Sequence, residues 1–207
     1  MARGGALPSV MMTIALLVLL SQKSASTHAA ECRTSGMSVA CGFHCRAELD
    51  EVKCAQTPQG LCTRVERQLV CWDPPDEVRF HGLETLGRPQ CKSKYRDVAC
   101  GYSCVTSPNQ LACAQTPFGV CATRFDRVVC WDPAPAVLHH SKPEELRGAT
   151  CLQTDTMFAC GWSCLRSFQD VACAQTPQGK CRVVEGRLAC FDPPLPPISH
   201  EPVRAER

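Results

Sequence analysis

The chain has 207 residues, 18 of them cysteine, with Lys+Arg 22 against Asp+Glu 20, aromatic residues at 6%, Gly 13 and Pro 16. That much cysteine excludes an ordinary cytosolic enzyme, because a reducing compartment does not hold so many pairs oxidised, and the scarcity of aromatics beside abundant Gly and Pro argues against one large apolar core. Setting aside Arg3 and Lys23 in the leading segment leaves 20 cations and 20 anions over residues 31–207, so no net field draws the chain to nucleic acid or an anionic membrane.

At the N-terminus a single cation, Arg3, precedes the apolar stretch from Val10 to Leu20, and a run of small, polar residues follows from Ser21 to Ala30. This order predicts a secretory signal peptide over residues 1–30, cleaved after Ala30, Ala29 or Ser26. A spanning helix needs about 20 apolar residues, so the stretch is too short for an anchor. Lipid attachment at Cys32 is disfavoured by Glu31, where a small residue is required. The remainder is expected to be soluble and extracytoplasmic (periplasm, cell surface or medium), without membrane insertion.

The cysteines then fall in three sets: Cys32, Cys41, Cys45, Cys54, Cys62 and Cys71; Cys91, Cys100, Cys104, Cys113, Cys121 and Cys130; Cys151, Cys160, Cys164, Cys173, Cys181 and Cys190. Each set reads C-x8-C-x3-C-x8-C-x7-C-x8-C. Three further motifs recur in every copy: Ala-Cys-Gly-aromatic from Ala40, Ala99 and Ala159; Cys-Ala-Gln-Thr-Pro-x-Gly-x-Cys from Cys54, Cys113 and Cys173; and Cys-aromatic-Asp-Pro from Cys71, Cys130 and Cys190. A fixed period of this kind identifies tandem structural units. An echo continues ten residues past each set, at His81, His140 and His200, each preceded by an aliphatic residue (Val78, Val137, Ile198). The modules are therefore drawn as 31–90, 91–150 and 151–207, the last with a polar, Pro-rich tail.

Within each module the expected elements are short hairpins. Across a two-residue loop, partners nine apart stand directly opposite in a non-hydrogen-bonded position, with Cα atoms about 4.5 Å apart, which a disulfide accepts. Turn-compatible residues lie between the members: Ser35-Gly36, Pro108-Asn109, Glu185-Gly186. The simplest connectivity joins first to second, third to fourth and fifth to sixth cysteine. Six cysteines allow about 15 connectivities, and bonds between hairpins would staple a module more firmly. Thr-Pro-x-Gly reads as a β-turn, and Gly42, Gly101 and Gly161 suit a bulge or a close backbone approach. No stretch shows a sustained helical period. The fold class is thus small, disulfide-rich β-hairpin and loop modules in three tandem six-cysteine repeats, held by covalent stapling more than by burial.

Candidate functional residues carry two uses each. Phe43, Tyr102 and Trp162 after the glycine, and Trp72, Trp131 and Phe191 before Asp-Pro, are either stacking platforms for a ligand or the apolar filling of a module. Asp73, Asp132 and Asp192 read as turn-formers, and Gln56, Gln115 and Gln175 as partners of backbone in the adjoining turn. His81, His140 and His200 are weak metal candidates, since each module offers one such histidine and a site needs three or four converging ligands. The cysteine spacing lacks zinc knuckles, so no cofactor is expected. His44, the one histidine inside a cysteine core, is replaced by Ser103 and Ser163 in the sister modules. No nucleophile elbow, phosphate loop or metalloprotease motif is present, and no place in the chain stands apart as a catalytic site would, so the chain is not expected to be an enzyme.

The whole pattern of recurring motifs over residues 32–194 resembles a cysteine-rich repeat of uncharacterised exported bacterial proteins. The resemblance implies a bacterial envelope or secreted setting and no known activity. The function expected is that of a multivalent interaction or structural protein whose partner is an extracellular or envelope protein or glycan. The hairpin tips Glu48 to Glu51, Ser107 to Gln110 and Ser167 to Asp170 vary on a fixed frame, as recognition loops do. The alternatives are a secreted protease inhibitor, with Arg64, Arg124 or Arg182 near the contact, and a metal-sequestering protein.

Overall fold

The computed structural model describes residues 29–80, 82, 86–168 and 170–198. The proposed signal peptide falls almost wholly outside them, as do His81 and His200. No helix among the described residues is long and apolar enough to cross a membrane.

The structure is a series of small antiparallel hairpins carrying nine disulfides. The first module contains β1 (Glu31–Ser35), β2 (Ser38–Glu48), β3 (Glu51–Ala55), β4 (Leu61–Val65) and β5 (Gln68–Trp72), followed by α1 (Asp76–Phe80). The second repeats it with β6 (Gln90–Lys94), β7 (Asp97–Thr106), β8 (Leu111–Ala114), β9 (Val120–Arg124), β10 (Arg127–Trp131) and α2 (Pro135–His140). The third has β11 (Thr150–Gln153), β12 (Phe158–Arg166), β13 (Val171–Ala174), β14 (Lys180–Val184) and β15 (Arg187–Phe191). In each, the first three strands form one sheet and the last two a separate hairpin.

Every described cystine joins residues nine apart, with Cα atoms 4.0–4.1 Å from each other, and no cysteine is free. The pairing is the local one throughout, and the bonds between hairpins that the spacing also permitted do not occur. Register explains it: Cys32 stands opposite Cys41, Ser35 opposite Ser38, and the loop between them is Gly36-Met37, one residue later than Ser35-Gly36.

The middle strand of each sheet is bent by a bulge. Phe43 pairs with Ala55 and Arg46 with Lys53, so His44 and Cys45 together face Cys54. The same shift falls at Ser103 and Ser163. The extra residue takes a positive φ, +49° at His44 and +46° at Ser103 and Ser163, as the first residue of such a bulge does. Just before it, a side chain at Gly42, Gly101 or Gly161 would stand 2.1–2.3 Å from the carbonyl oxygen of Ala55, Ala114 or Ala174. Glycine is required there because two backbones touch.

Among the described residues, two short helices occur where no helical period was expected. Neither is long enough to display one. α2 starts on Pro135, whose fixed φ suits a helix start, and its Val137 and Leu138 are buried. With Val78 of the first tail, Leu146, Phe118 and Trp162 they form a core cluster, against which Trp131, Ala149 and Leu195 pack. This apolar core therefore lies between modules and is built largely by their tails.

Candidate interaction surface

The motifs shared by the modules build a clasp. Gly60 N–H donates to the Thr57 carbonyl at 3.0 Å, and the equivalents at Gly119 and Gly179 measure 3.1 and 3.0 Å, so Thr-Pro-x-Gly is a β-turn in each module. The aspartate of Cys-aromatic-Asp-Pro holds this turn from across the module. Asp132 Oδ1 accepts from Thr116 N and Thr116 Oγ1, both at 2.8 Å, and from Gln115 N at 3.1 Å. Asp73 and Asp192 make the same bonds to Gln56/Thr57 and Gln175/Thr176. Charge-assisted bonds of this type are the strong ones. The carboxylates are thus occupied by backbone and threonine, which is a structural use.

The glutamines do two things. Each carboxamide Nε2 donates to a nearby cysteine carbonyl, as Gln56 does to Cys54 and Gln115 to Cys113. In the second and third modules the oxygen accepts from the preceding module: Trp72 Nε1 donates to Gln115 Oε1 at 3.1 Å, and Trp131 Nε1 to Gln175 Oε1 at 3.0 Å. The same indoles stand edge-on to the next module's aromatic, Trp72 to Tyr102 at 5.7 Å and Trp131 to Trp162 at 5.1 Å, both at 81°. Tyr102 and Trp162 are buried and Trp72 and Trp131 half-buried. Four of the six candidate platform residues are therefore joints between modules. Phe43, half-buried, and Phe191, exposed, occupy the corresponding places at the two ends of the array. This pairing across modules is what sequence reasoning missed, because a repeat pattern does not say which copy a side chain faces.

The hairpin tips lie side by side along one edge. Ser35 Oγ donates to the Leu49 carbonyl, and Arg64 pairs with Glu48 at 3.1 Å. Ser93 Oγ donates to Glu66 at 3.1 Å, and Lys94 to the Ser107 carbonyl. Ser107 Oγ reaches the Asp126 carbonyl at 2.7 Å, and Arg124 the Thr156 carbonyl at 2.5 Å. Thr154, Asp155 and Thr156 then share a shallow concavity of about 250 Å³ with Arg166 and Phe168. The bonds run in unbroken chain order from the first hairpin to the seventh, crossing both module boundaries, and the concavity adjoins the eighth. Projecting from the row are the exposed side chains Met37, Leu49, Tyr95, Phe125 and Phe168. At Leu49, Tyr95 and Phe125 the backbone φ is +49°, +55° and +49°, a region that bulky residues seldom occupy. Lys94 and Arg124 stand 5.5 and 5.6 Å from the rings of Tyr95 and Phe125.

Charge follows the same division. Between the paired cysteines lie 13 Lys/Arg and 9 Asp/Glu, whereas the rest of residues 31–207 carries 7 and 11. The neutral total hides cationic hairpins beside anionic turns and tails.

A larger concavity, about 530 Å³, lies in the first module between Glu31, Arg33, His44 and Arg46. His44 Nε2 sits 2.8 Å from the Pro58 carbonyl, and Glu31 and Arg33 pair with one another at 3.0 Å. His140 is half-buried on α2, its ring edge-on to His139 at 4.7 Å. Among the described residues, no group of three or more His, Cys, Asp or Glu is placed to hold a metal ion. Of the three arginines considered for a protease contact, Arg64 and Arg124 are engaged as above, and Arg182 is exposed on β14. Compared with known proteins, the chain matches no family model, no curated protein and no solved structure.

Proposed function

We propose that this disulfide-stabilised chain is exported into an oxidising compartment and acts there by binding, as a multivalent interaction or structural protein whose contact surface is the row of hairpin tips. The observation that carries this reading is the placement of Leu49, Tyr95 and Phe125. Each is a large apolar residue, held in water, at a turn position where glycine or asparagine would cost less. The same backbone strain at Glu66 and Glu185 is borne by charged residues that water solvates, so what sets these three tips apart is a large apolar side chain held outward, available for contact. The partner is an extracellular or envelope protein or glycan, and the cationic excess of the hairpins favours an acidic one. Several weak tips on one rigid frame gain avidity through effective concentration. The resemblance to exported bacterial repeats is consistent with the same setting.

Affinity capture from envelope and medium tests the proposal, using oxidised wild type beside a variant carrying Leu49→Ser, Tyr95→Ser and Phe125→Ser. A partner held by wild type and lost by the variant is expected. Equal retention of every partner by the variant overturns the assignment of the tips.

A further inference from the structure

The two joints between modules are heterologous: the giving surface belongs to the last hairpin of one module and the receiving surface to the first strands of the next. Besides the tryptophan contacts, β4 lies against β6 and β9 against β11, with Ser93 bonded to Glu66 at the first boundary. Among the described residues, no module is seated on the receiving surface of the first module or on the giving surface of the third.

Both surfaces present apolar side chains that no described residue covers as fully as at the internal joints. Val39 of the first module corresponds in register to Val98 and Phe158, since it stands opposite Thr34 as they do opposite Ser93 and Gln153. Val98 and Phe158 are half-buried where the preceding module lies beside their hairpins, whereas Val39 is 67% exposed. Gln56 is anchored through its Nε2 in the manner of Gln115 and Gln175, beside Phe43 in the place of Tyr102 and Trp162. At the other end Phe191, in the place of Trp72 and Trp131, is 69% exposed, and Val184 on the same hairpin is 53% exposed. Leu195 of the last tail packs against the cluster that contains Val137 and Trp162. Repeat arrays that stay single are closed by terminal units with polar outer faces. Here the outer faces carry Val39 and Phe43 at one end and Val184 and Phe191 at the other.

We propose that the chain associates end to end with further copies of itself, the Phe191 face of one copy seating on the Phe43–Gln56 face of the next and continuing the geometry of the internal joints. Neither face complements itself, so association grows a string or closes a ring and does not stop at a two-fold dimer. Phenylalanine offers no indole N–H to Gln56, so the joint between copies lacks one hydrogen bond and is reversible with concentration. The tips stay free along the edge of the assembly.

Sedimentation of the oxidised protein recovered from the medium or periplasm of an expressing host tests this. The average mass is expected to rise with concentration beyond that of a dimer. Phe191→Trp, which restores the donor, is expected to lower the concentration needed about tenfold, the worth of one hydrogen bond. Phe191→Asp and Val39→Asp lie on opposite ends at exposed positions, and each alone should remain monomeric. Mixed together they should form a dimer and nothing larger, since each supplies the intact face that the other lacks. A wild-type chain that stays monomeric up to millimolar concentration overturns the proposal, as does association that survives in either aspartate variant.

Discussion

Tyr95 and Phe125 show how a single residue is set between stability and contact. A positive φ costs an ordinary L-residue about 1–2 kcal/mol, while asparagine tolerates it. Tyr95→Asn and Phe125→Asn are therefore each expected to raise stability by about 0.5–1 kcal/mol in urea unfolding of the oxidised protein, and to weaken capture of the partner. The glycines before the bulges behave in the opposite way. At Gly161 an added Cβ would lie 2.1 Å from the Ala174 carbonyl oxygen, on a backbone with φ of +145°. Neither strand can yield without breaking its pairing, so Gly161→Ala is expected to cost about 3 kcal/mol or to prevent oxidative folding of the third module, as read by urea unfolding and by free-thiol titration. The need for these glycines was legible in the sequence, because glycine recurred beside a cysteine in every copy. The strained tips were not, since Leu49, Tyr95 and Phe125 share no residue type and only the backbone reveals what they have in common.

At the level of elements, the separation of nine carried most of the fold. It placed each pair opposite across a two-residue loop, and the observed registers follow from that geometry. The turn and the aspartate were legible as pieces, but their union was not: Asp132 lies 16 residues from Thr116 along the chain, and nothing local says that the one holds the other. The helices escaped for a related reason. α1 and α2 span five and six residues, and their stability comes from packing Val78, Val137 and Leu138 into a cluster formed by distant parts of the chain. Because each cystine closes a loop of about ten residues, replacing Cys121 and Cys130 together by alanine is expected to cost about 2–3 kcal/mol. The loss should stay within the last hairpin of the second module, leaving amide exchange in β6–β8 little changed.

Across the whole molecule, three units are coupled by aromatic edges, two indole hydrogen bonds, the tip bonds Ser93–Glu66 and Arg124–Thr156 and the tail cluster, and by no described covalent cross-link. Trp131→Phe reproduces at an internal joint the residue that ends the array at Phe191. It should cost about 1 kcal/mol and speed amide exchange in β12 more than in β9. The sequence carried the count of modules but not their coupling, because the residues that join them are the same ones that a lone module would use as filling. The nine-residue separation of every cystine has a further consequence, for the making of the protein. In an oxidising setting the first thiol of each pair can meet its partner once nine further residues have emerged, before the following pair has arrived. Bonds formed in order of emergence are then the native bonds, and the chain calls for little reshuffling of mispaired sulfurs despite its eighteen cysteines.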